Sequence, residues 1–212
     1  PRFPQVQFLF FVCPQKAEDR TGFRWDLVEE SIKAGTPRQT ALSSLTSPVE
    51  GEGAQENLRP ELRALASCDD YRLCTVAELH ELKALPNVQL GNHTSLHLSA
   101  AKFSDEVVRA DFRGSTQAFE RLFGPQRHFA FPFGTPGHHF AQRHVDWLRA
   151  LGDFSIWTTE ARPYRLEERQ AQAVLPRFPI DGSQDARSLA GWIAASSLDF
   201  RARGTRHHFP QG

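Results

Sequence analysis

The chain has 212 residues, of which 40% are hydrophobic and 11% aromatic, as expected of one globular domain with a substantial core. Its 25 basic and 25 acidic residues balance without a block of Lys or Arg, which excludes the strongly basic surface of a typical nucleic-acid-binding protein. The longest apolar run, residues 8–13, is too short to span a bilayer. We therefore expect a single domain over residues 1–212, with no membrane span and no nucleic-acid partner.

Three cysteines, Cys13, Cys68 and Cys74, form no Cys-x-x-Cys metal pattern, and an odd number cannot all pair within the chain. This favours the cytoplasm over the periplasm. The chain also starts at Pro1 and contains no Met. From these two features we expect the natural protein to contain residues beyond this sequence.

Predicted strands and helices alternate along the chain. Residues 7–12 form an apolar strand, and Trp25, Val28 and Ile32 share one face of a helix that ends near Gly35. Residues 36–60, rich in Thr, Ser, Pro and Gly, predict a loop excursion with one short helix around residues 39–45. Further helices are predicted at 60–66, 75–85, 104–123 and 140–151, and further strands at 88–90, 127–131, 154–158 and 173–181. This alternation predicts an α/β fold with a parallel barrel.

Residues 91–97, Gly-Asn-His-Thr-Ser-Leu-His, follow the second predicted strand directly. His93 and His97 are four residues apart and can close on one divalent metal ion, at the strand end where α/β barrels carry catalytic groups. Neutral imidazoles favour zinc or a related transition ion over magnesium or calcium. Such a site usually takes a third protein ligand and keeps one position open for water. The alternative is that His93 caps a turn while His97 lies on a helix face.

Four segments occur in an informative order: the Phe-Phe-Val strand, Gly-Asn-His-Thr-x-x-His, Phe-Ala-Phe-Pro-Phe-Gly at 129–134 and Leu-Pro-Arg at 175–177. In this order, and over most of its length, the chain resembles the polysaccharide deacetylase family, carbohydrate esterase family 4. The resemblance implies a deformed (β/α)7 barrel that holds a divalent metal ion, usually zinc, through one Asp and two His. It also implies the removal of acetyl groups from N-acetylated sugars.

The resemblance assigns the metal to His93 and His97. It implies that Arg177 orients a catalytic carboxylate, and Asp181, close to Arg177 in sequence, is the candidate for that carboxylate within these 212 residues. One wall of the substrate groove would be formed by Phe131, Pro132, Phe133 and Gly134, although Ala130 replaces the Arg often found in that motif. Core packing for Phe131 and Phe133, and an ordinary surface ion pair for Arg177, remain as alternatives.

Two parts of the family pattern have no counterpart. The motif Thr-Phe-Asp-Asp-Gly, which supplies a metal ligand and the general base, is expected before the first strand, yet residues 1–9 contain no Asp or Glu. The only Asp-Asp pair, Asp69-Asp70, is interpreted as a solvated loop. The Leu-x-His element that supplies the general acid is also missing, and neither His138-His139 nor His207-His208 is assigned to that role.

The sequence thus predicts a zinc-dependent deacetylase that hydrolyses N-acetyl groups on a cell-envelope polysaccharide, such as a lipopolysaccharide, or on its sugar precursor. One alternative is a barrel relative that hydrolyses a small non-sugar amide. The other is a catalytically inactive glycan-binding or scaffold protein that retains the barrel without its base.

Overall fold

A computed structural model of the chain describes residues 6–46, 59–66, 71–162 and 174–177, with a few single residues between 185 and 195. Several residues considered above lie outside these ranges: Asp69, Asp70, Asp181, His207 and His208.

Strands and helices alternate within these ranges, as predicted. The strands are β1 (Phe8–Val12), β2 (Val88–Asn92), β3 (His128–Ala130), β4 (Ser155–Trp157) and β5 (Val174–Leu175). The helices are α1 (Pro14–Asp19), α2 (Arg24–Lys33), α3 (Arg38–Thr46), α4 (Arg59–Ala66), α5 (Val76–Lys83), α6 (Asp105–Phe123) and α7 (Gln142–Leu151). The short helix expected inside residues 36–60 is confirmed as α3.

The five strands form one parallel sheet in which each strand pairs with the next along the chain, in the order β1-β2-β3-β4-β5. A sequential parallel order is that of a singly wound barrel, whereas a doubly wound sheet reverses its strand order midway. The predicted α/β fold of the deformed (β/α)7 barrel type is therefore confirmed. No helix of the described segments is long and apolar enough to cross a membrane.

Helix α6 packs against one face of the sheet and contributes to the larger apolar cluster of the core. It begins where the Ser104 hydroxyl accepts a hydrogen bond from the backbone N–H of Val107, as an N-cap residue does. The apolar residues Val108 and Phe112 recur at helical spacing and pack against Phe129 of β3 in the larger buried cluster. Each fully buried Phe of this kind contributes about 1.5–3 kcal/mol. This packing fixes α6 under β3 and thereby positions the loops that leave the sheet.

Strand register brings the carboxyl ends of the strands to one edge of the sheet. Val12 lies opposite Asn92, Asn92 opposite Phe129, and Trp157 opposite Leu175. The first two strands approach closely because position 91 is Gly: a Cβ there would lie 2.6 Å from a ring carbon of Phe11. The segments that follow β1 to β5 therefore begin side by side.

Helix α7 begins with a buried histidine as the cap acceptor. The backbone N–H of Ala141 donates to His144 Nδ1 at 3.0 Å, and the His144 side chain is fully buried. Burial, and then the charge of Arg143, lower the pKa of His144 from 6.5 to about 4. Protonation of Nδ1 would remove the acceptor from the cap.

We expect His144 to make stability depend on pH below 6.5. The unfolded chain takes up this proton as the pH falls below 6.5, whereas the folded chain resists until about pH 4, so the free energy of unfolding falls on acidification. The contribution is at most about 1.4 kcal/mol per pH unit. His144→Gln keeps an acceptor at this helix position and should flatten the dependence between pH 6 and 4.5 in urea titrations. His80→Gln, at an exposed position of α5, is the matched control; equal slopes for both variants would contradict the assignment.

Candidate active site

The two histidines of the predicted pair lie together at the carboxyl edge of the sheet. Their ring centroids are 4.7 Å apart and the rings are nearly perpendicular. The backbone N–H of His93 donates to the Val12 carbonyl at 2.9 Å, which joins the loop to the end of β1. Residues 93–97 are not helical, so the alternative that placed His97 on a helix face is wrong.

Left-handed backbone conformations shape this loop. Thr94 has φ 68° and His97 has φ 55°, values that L-residues adopt at a cost of about 1–2 kcal/mol each. Two local hydrogen bonds stabilise them: Thr94 N–H donates to Asn92 Oδ1 at 2.9 Å, and His97 N–H donates to Thr94 Oγ1 at 3.0 Å. Backbone strain of this kind concentrates at functional sites. In this loop conformation the two imidazoles contact one another edge to face.

The tautomer of His93 is set by a backbone carbonyl. His93 Nδ1 lies 2.7 Å from the Ala130 oxygen, and because a carbonyl only accepts, Nδ1 carries the proton. The lone pair is then on Nε2, which is the arrangement usual for a metal-binding histidine. Burial lowers the pKa of His93 to about 4, and the positive charge of Arg177 acts in the same direction. The ring is therefore neutral near pH 7, as a zinc ligand requires.

His97 has a buried ring nitrogen without a hydrogen-bond partner. Within the described part of the chain, nothing bonds to its Nδ1. Burial, and then the neighbouring His93, lower the pKa of His97 to about 3. An unsatisfied buried polar atom costs about 1–3 kcal/mol, which a bound ligand would offset.

The pair therefore fits zinc as two of its ligands. Among the residues that the structure describes, no group of three His, Cys, Asp or Glu side chains is placed to hold a metal ion. The third ligand thus remains a prediction.

Sequence reasoning missed Asp111, a buried carboxylate on α6 that holds the histidine loop. Its Oδ1 accepts hydrogen bonds from the backbone N–H groups of Ser95 and Leu96, both at 3.0 Å. Burial raises the pKa of Asp111 to about 6, while these amide bonds act against the rise. The one available signal was an Asp inside the apolar stripe of α6, beside Val108 and Phe112.

Asn92, at the start of the histidine loop, connects this loop to α6 and to the segment that follows α6. Its Nδ2 donates to Gln126 Oε1 at 2.9 Å and to Ser115 Oγ at 3.3 Å, and all three side chains are buried. Because buried polar groups that are fully paired specify one geometry, Asn92 restricts the strand end from which His93 emerges.

The four residues predicted to line the substrate groove divide into two groups. The Phe131 ring is 1% exposed and stacks on Phe140 in the core at 3.9 Å, which corrects its assignment as a substrate contact. Pro132 is also buried. Phe133 is 49% exposed, and its ring centroid lies 5.2 Å from that of His97. Only Phe133 among the three side chains therefore offers an aromatic surface beside the histidines.

Gly134 supports this position of Phe133. Both residues are left-handed, with φ 60° at Phe133 and 66° at Gly134. A Cβ on Gly134 would lie 2.9 Å from the backbone N of Thr159, so only Gly fits against that segment. The Thr159 hydroxyl donates to the Phe133 carbonyl at 2.7 Å. Gly134 thus shapes the turn and contributes no side chain.

Arg177 reaches the same edge from the end of β5. Its Nε donates to the Thr158 carbonyl at 2.8 Å, and its guanidinium carbon lies 5.2 Å from the centroid of the Phe11 ring. Its charge acts on His93, as described above. Within the described ranges no carboxylate forms an ion pair with Arg177, so the surface ion-pair alternative finds no support there. The role of Asp181 stays a prediction.

The unassigned pair His138-His139 lies on the loop that follows Phe133. The His139 ring centroid is 5.4 Å from that of Phe133 and 4.6 Å from that of His138. Its Nδ1 accepts a hydrogen bond from the Thr135 backbone N–H. These contacts place the pair beside the exposed Phe133 ring.

Comparison with protein families finds a match to one family over about half of the chain. The family model described as polysaccharide deacetylase matches residues 52–152, which contain the histidine pair and the Phe133 turn. The match confirms the resemblance to the polysaccharide deacetylase family that the motifs predicted. No curated protein matches the chain significantly.

Part of the chain is also similar to solved structures. The structure of IcaB from Ammonifex degensii is 23% identical, with a TM-score of 0.47, and the match covers 59% of this chain and 55% of that one. A polysaccharide deacetylase from Bacillus cereus is 18% identical, with a TM-score of 0.48 and coverage of 60% and 39%. A de-N-acetylase from Aggregatibacter actinomycetemcomitans is 15% identical, with a TM-score of 0.43 and coverage of 57% and 53%. The matched region thus spans 39–55% of the length of these structures.

We expect Asp111→Ala to loosen the histidine loop. The change leaves two buried amide donors without an acceptor, which should lower the free energy of unfolding by about 2–4 kcal/mol. It should also weaken zinc binding by about 10- to 100-fold, the usual range for partners that orient metal ligands. Urea denaturation and zinc titration would measure the two effects.

Two variants serve as controls. Asp111→Asn retains an acceptor oxygen and should keep most of both properties, and Asp146→Ala changes an exposed carboxylate on α7. Zinc affinity in Asp111→Ala equal to that of the parent protein would show that Asp111 does not position the histidines.

Proposed function

We propose that the protein is a metal-dependent deacetylase that hydrolyses N-acetyl groups on a cell-envelope polysaccharide or its sugar precursor. The observation that carries the proposal is the pair of neutral, partly buried imidazoles at the carboxyl edge of a parallel sheet, next to the exposed ring of Phe133. The family match over residues 52–152 supports the same reaction class.

His93 and His97 would hold the metal ion, which fits their neutral state and the free nitrogen on each ring. When bound, a zinc ion polarises the amide carbonyl and makes water a stronger nucleophile near neutral pH. The Ala130 carbonyl fixes the His93 tautomer, and Asp111 holds the loop between the two ligands. The chain itself therefore presents the two nitrogens in a fixed, water-poor setting.

The reaction also needs a proton acceptor for water and a proton donor for the leaving amine. Arg177 cannot accept the proton because its guanidinium stays charged, but it can hold a carboxylate in place. Asp111 is unsuited to this role because it is buried and its oxygen is bound to two loop amides. Asp181, four residues after Arg177, is the carboxylate that we propose for this part of the site.

A glycan-binding protein without catalysis is the second candidate. The observation that favours it is the lack of a third metal ligand near His93 and His97 in the described ranges. A barrel that hydrolyses a small non-sugar amide would share the histidine pair but need no extended sugar contact. The three functions differ in whether acetate is released and from which substrate.

The direct experiment measures acetate release from N-acetylglucosamine oligomers by the zinc-loaded protein. We expect His97→Ala to lower the rate by more than about 100-fold, since even partners that only orient a metal ligand contribute 10- to 100-fold. The same variant should retain much less zinc after dialysis. His138→Ala, a histidine outside the motif, should retain zinc and most of the activity.

Each outcome separates the candidates. Oligomer binding without acetate release, in a protein that contains zinc, would favour the inactive glycan-binding protein. Release of acetate from small acetamides but not from oligomers would favour the non-sugar amide. Equal zinc loss in His97→Ala and His138→Ala would show that the metal site lies elsewhere.

A further inference from the structure

An aromatic stack that no sequence motif contains lies beside His97. Phe23 and Trp25, at the start of α2, stack in parallel with centroids 4.3 Å apart and an interplanar angle of 8°. Asp26 accepts a hydrogen bond from the Phe23 backbone N–H at 2.7 Å, which fixes the beginning of the helix and the direction of both rings. The stack is therefore a rigid feature of the site edge.

Distances place His97 at the side of this stack. The His97 centroid is 4.5 Å from that of Trp25 and 5.4 Å from that of Phe23, and both contacts are edge-to-face. With 4.3 Å between the stacked rings, these separations cannot place His97 on the outer face of Trp25. Lys16 Nζ lies over the Phe23 ring, 5.0 Å from its centroid. Along the axis of the stack, Lys16 is followed by the Phe23 ring and then by the Trp25 ring. We call the face of the indole that points away from Phe23 the outer face.

Trp25 lies outside the apolar core of the described residues. Trp25 is only partly buried, and neither Trp25 nor Phe23 is part of the two apolar clusters found among the described residues. Within these residues Trp25 makes ring contacts with Phe23 and His97 alone. A partly exposed aromatic ring next to a candidate metal ligand is suited to a ligand contact.

Phe133 adds a second aromatic surface from a different loop. Its exposed ring is 5.2 Å from His97, comparable to the distance between His97 and Trp25. The turn at Gly134 fixes the backbone at Phe133, whereas the hydrogen bond at the start of α2 fixes the backbone next to Trp25. His97 therefore contacts one partly exposed aromatic ring on each of two independently fixed segments.

We propose that the outer face of Trp25 binds the apolar face of a pyranose ring and so positions the sugar beside His97. This inference rests on the proposed deacetylase function and adds a substrate-binding residue to it. A pyranose presents polarised C–H groups on a flat face, and these pack favourably on the electron-rich face of an indole. The cation beneath Phe23 and the charge of Arg177 suit a neutral or anionic sugar.

The experiment measures the affinity of the N-acetylglucosamine tetramer by calorimetry, first on the chelator-treated protein. Trp25→Leu keeps an apolar side chain but removes the aromatic face, and should weaken binding by about tenfold, as expected for one lost stacking contact. Trp25→Phe should restore affinity to within about threefold. Trp147→Leu, which changes a partly buried tryptophan of α7, should bind like the parent protein. In the zinc-loaded enzyme, Trp25→Leu should raise KM more than it lowers kcat.

A second measurement follows the parent protein itself. Incorporation of 5-fluorotryptophan labels the four Trp residues, and the signals missing in Trp25→Leu and Trp147→Leu assign two of them. In the parent protein the fluorine signal of Trp25 should shift on addition of the tetramer while that of Trp147 stays fixed. Failure of the Trp25 signal to move, or equal affinity in Trp25→Leu and the parent protein, would overturn the inference. Cleavage of small acetamides without Trp25-dependent tetramer binding would overturn it and leave a hydrolase. Trp25-dependent binding without acetate release would support it while contradicting the proposed catalysis.

Discussion

The candidate site depends on the parallel register of the first three strands. Asn92 lies opposite both Val12 and Phe129, so β1, β2 and β3 end at the same level. A shift of one residue would turn the alternating side chains to the other face and separate the loops. With this register, the His93 amide reaches the Val12 carbonyl and the His93 ring reaches the Ala130 carbonyl. Backbone groups of three strands therefore fix the position of one imidazole.

Buried polar groups hold the rest of the histidine loop. Asp111 binds the amides of Ser95 and Leu96, and Asn92 pairs with Gln126. In a low-dielectric interior these bonds are strong, but an unpaired group there is costly. His97 Nδ1 is one of several buried side-chain atoms in the described residues that have no hydrogen-bond partner, and Ser95 Oγ in the same loop is another. What sets His97 Nδ1 apart is its place beside a second imidazole, that of His93.

Much of the architecture could be predicted from the sequence because the signals were local. The helix predicted at residues 104–123 is present as α6, and the alternation of strand and helix predicted the barrel type. Helix α1 was missed because it has six residues and only Cys13 separates it from β1, which leaves no room for a periodic pattern. Short helices of this kind depend on tertiary packing rather than on propensity.

The candidate site was predicted only in part, for the same reason. The spacing of His93 and His97 is local, whereas the bonds from Asp111 and the contact of Trp25 with His97 join segments far apart in the sequence. The motif around Phe131 and Phe133 did not indicate which ring is exposed. The answer depends on the left-handed backbone at Phe133, a conformation that no local pattern predicts for a Phe.

The central claim is that His93 and His97 bind the same metal ion. Zinc K-edge X-ray absorption of the zinc-loaded protein tests it directly, because imidazole ligands give a characteristic scattering pattern with Zn–N distances of about 2.0–2.1 Å. Two imidazoles are predicted for the parent protein and one for either His93→Ala or His97→Ala. A spectrum without imidazole scattering, or one that both substitutions leave unchanged, would contradict the claim.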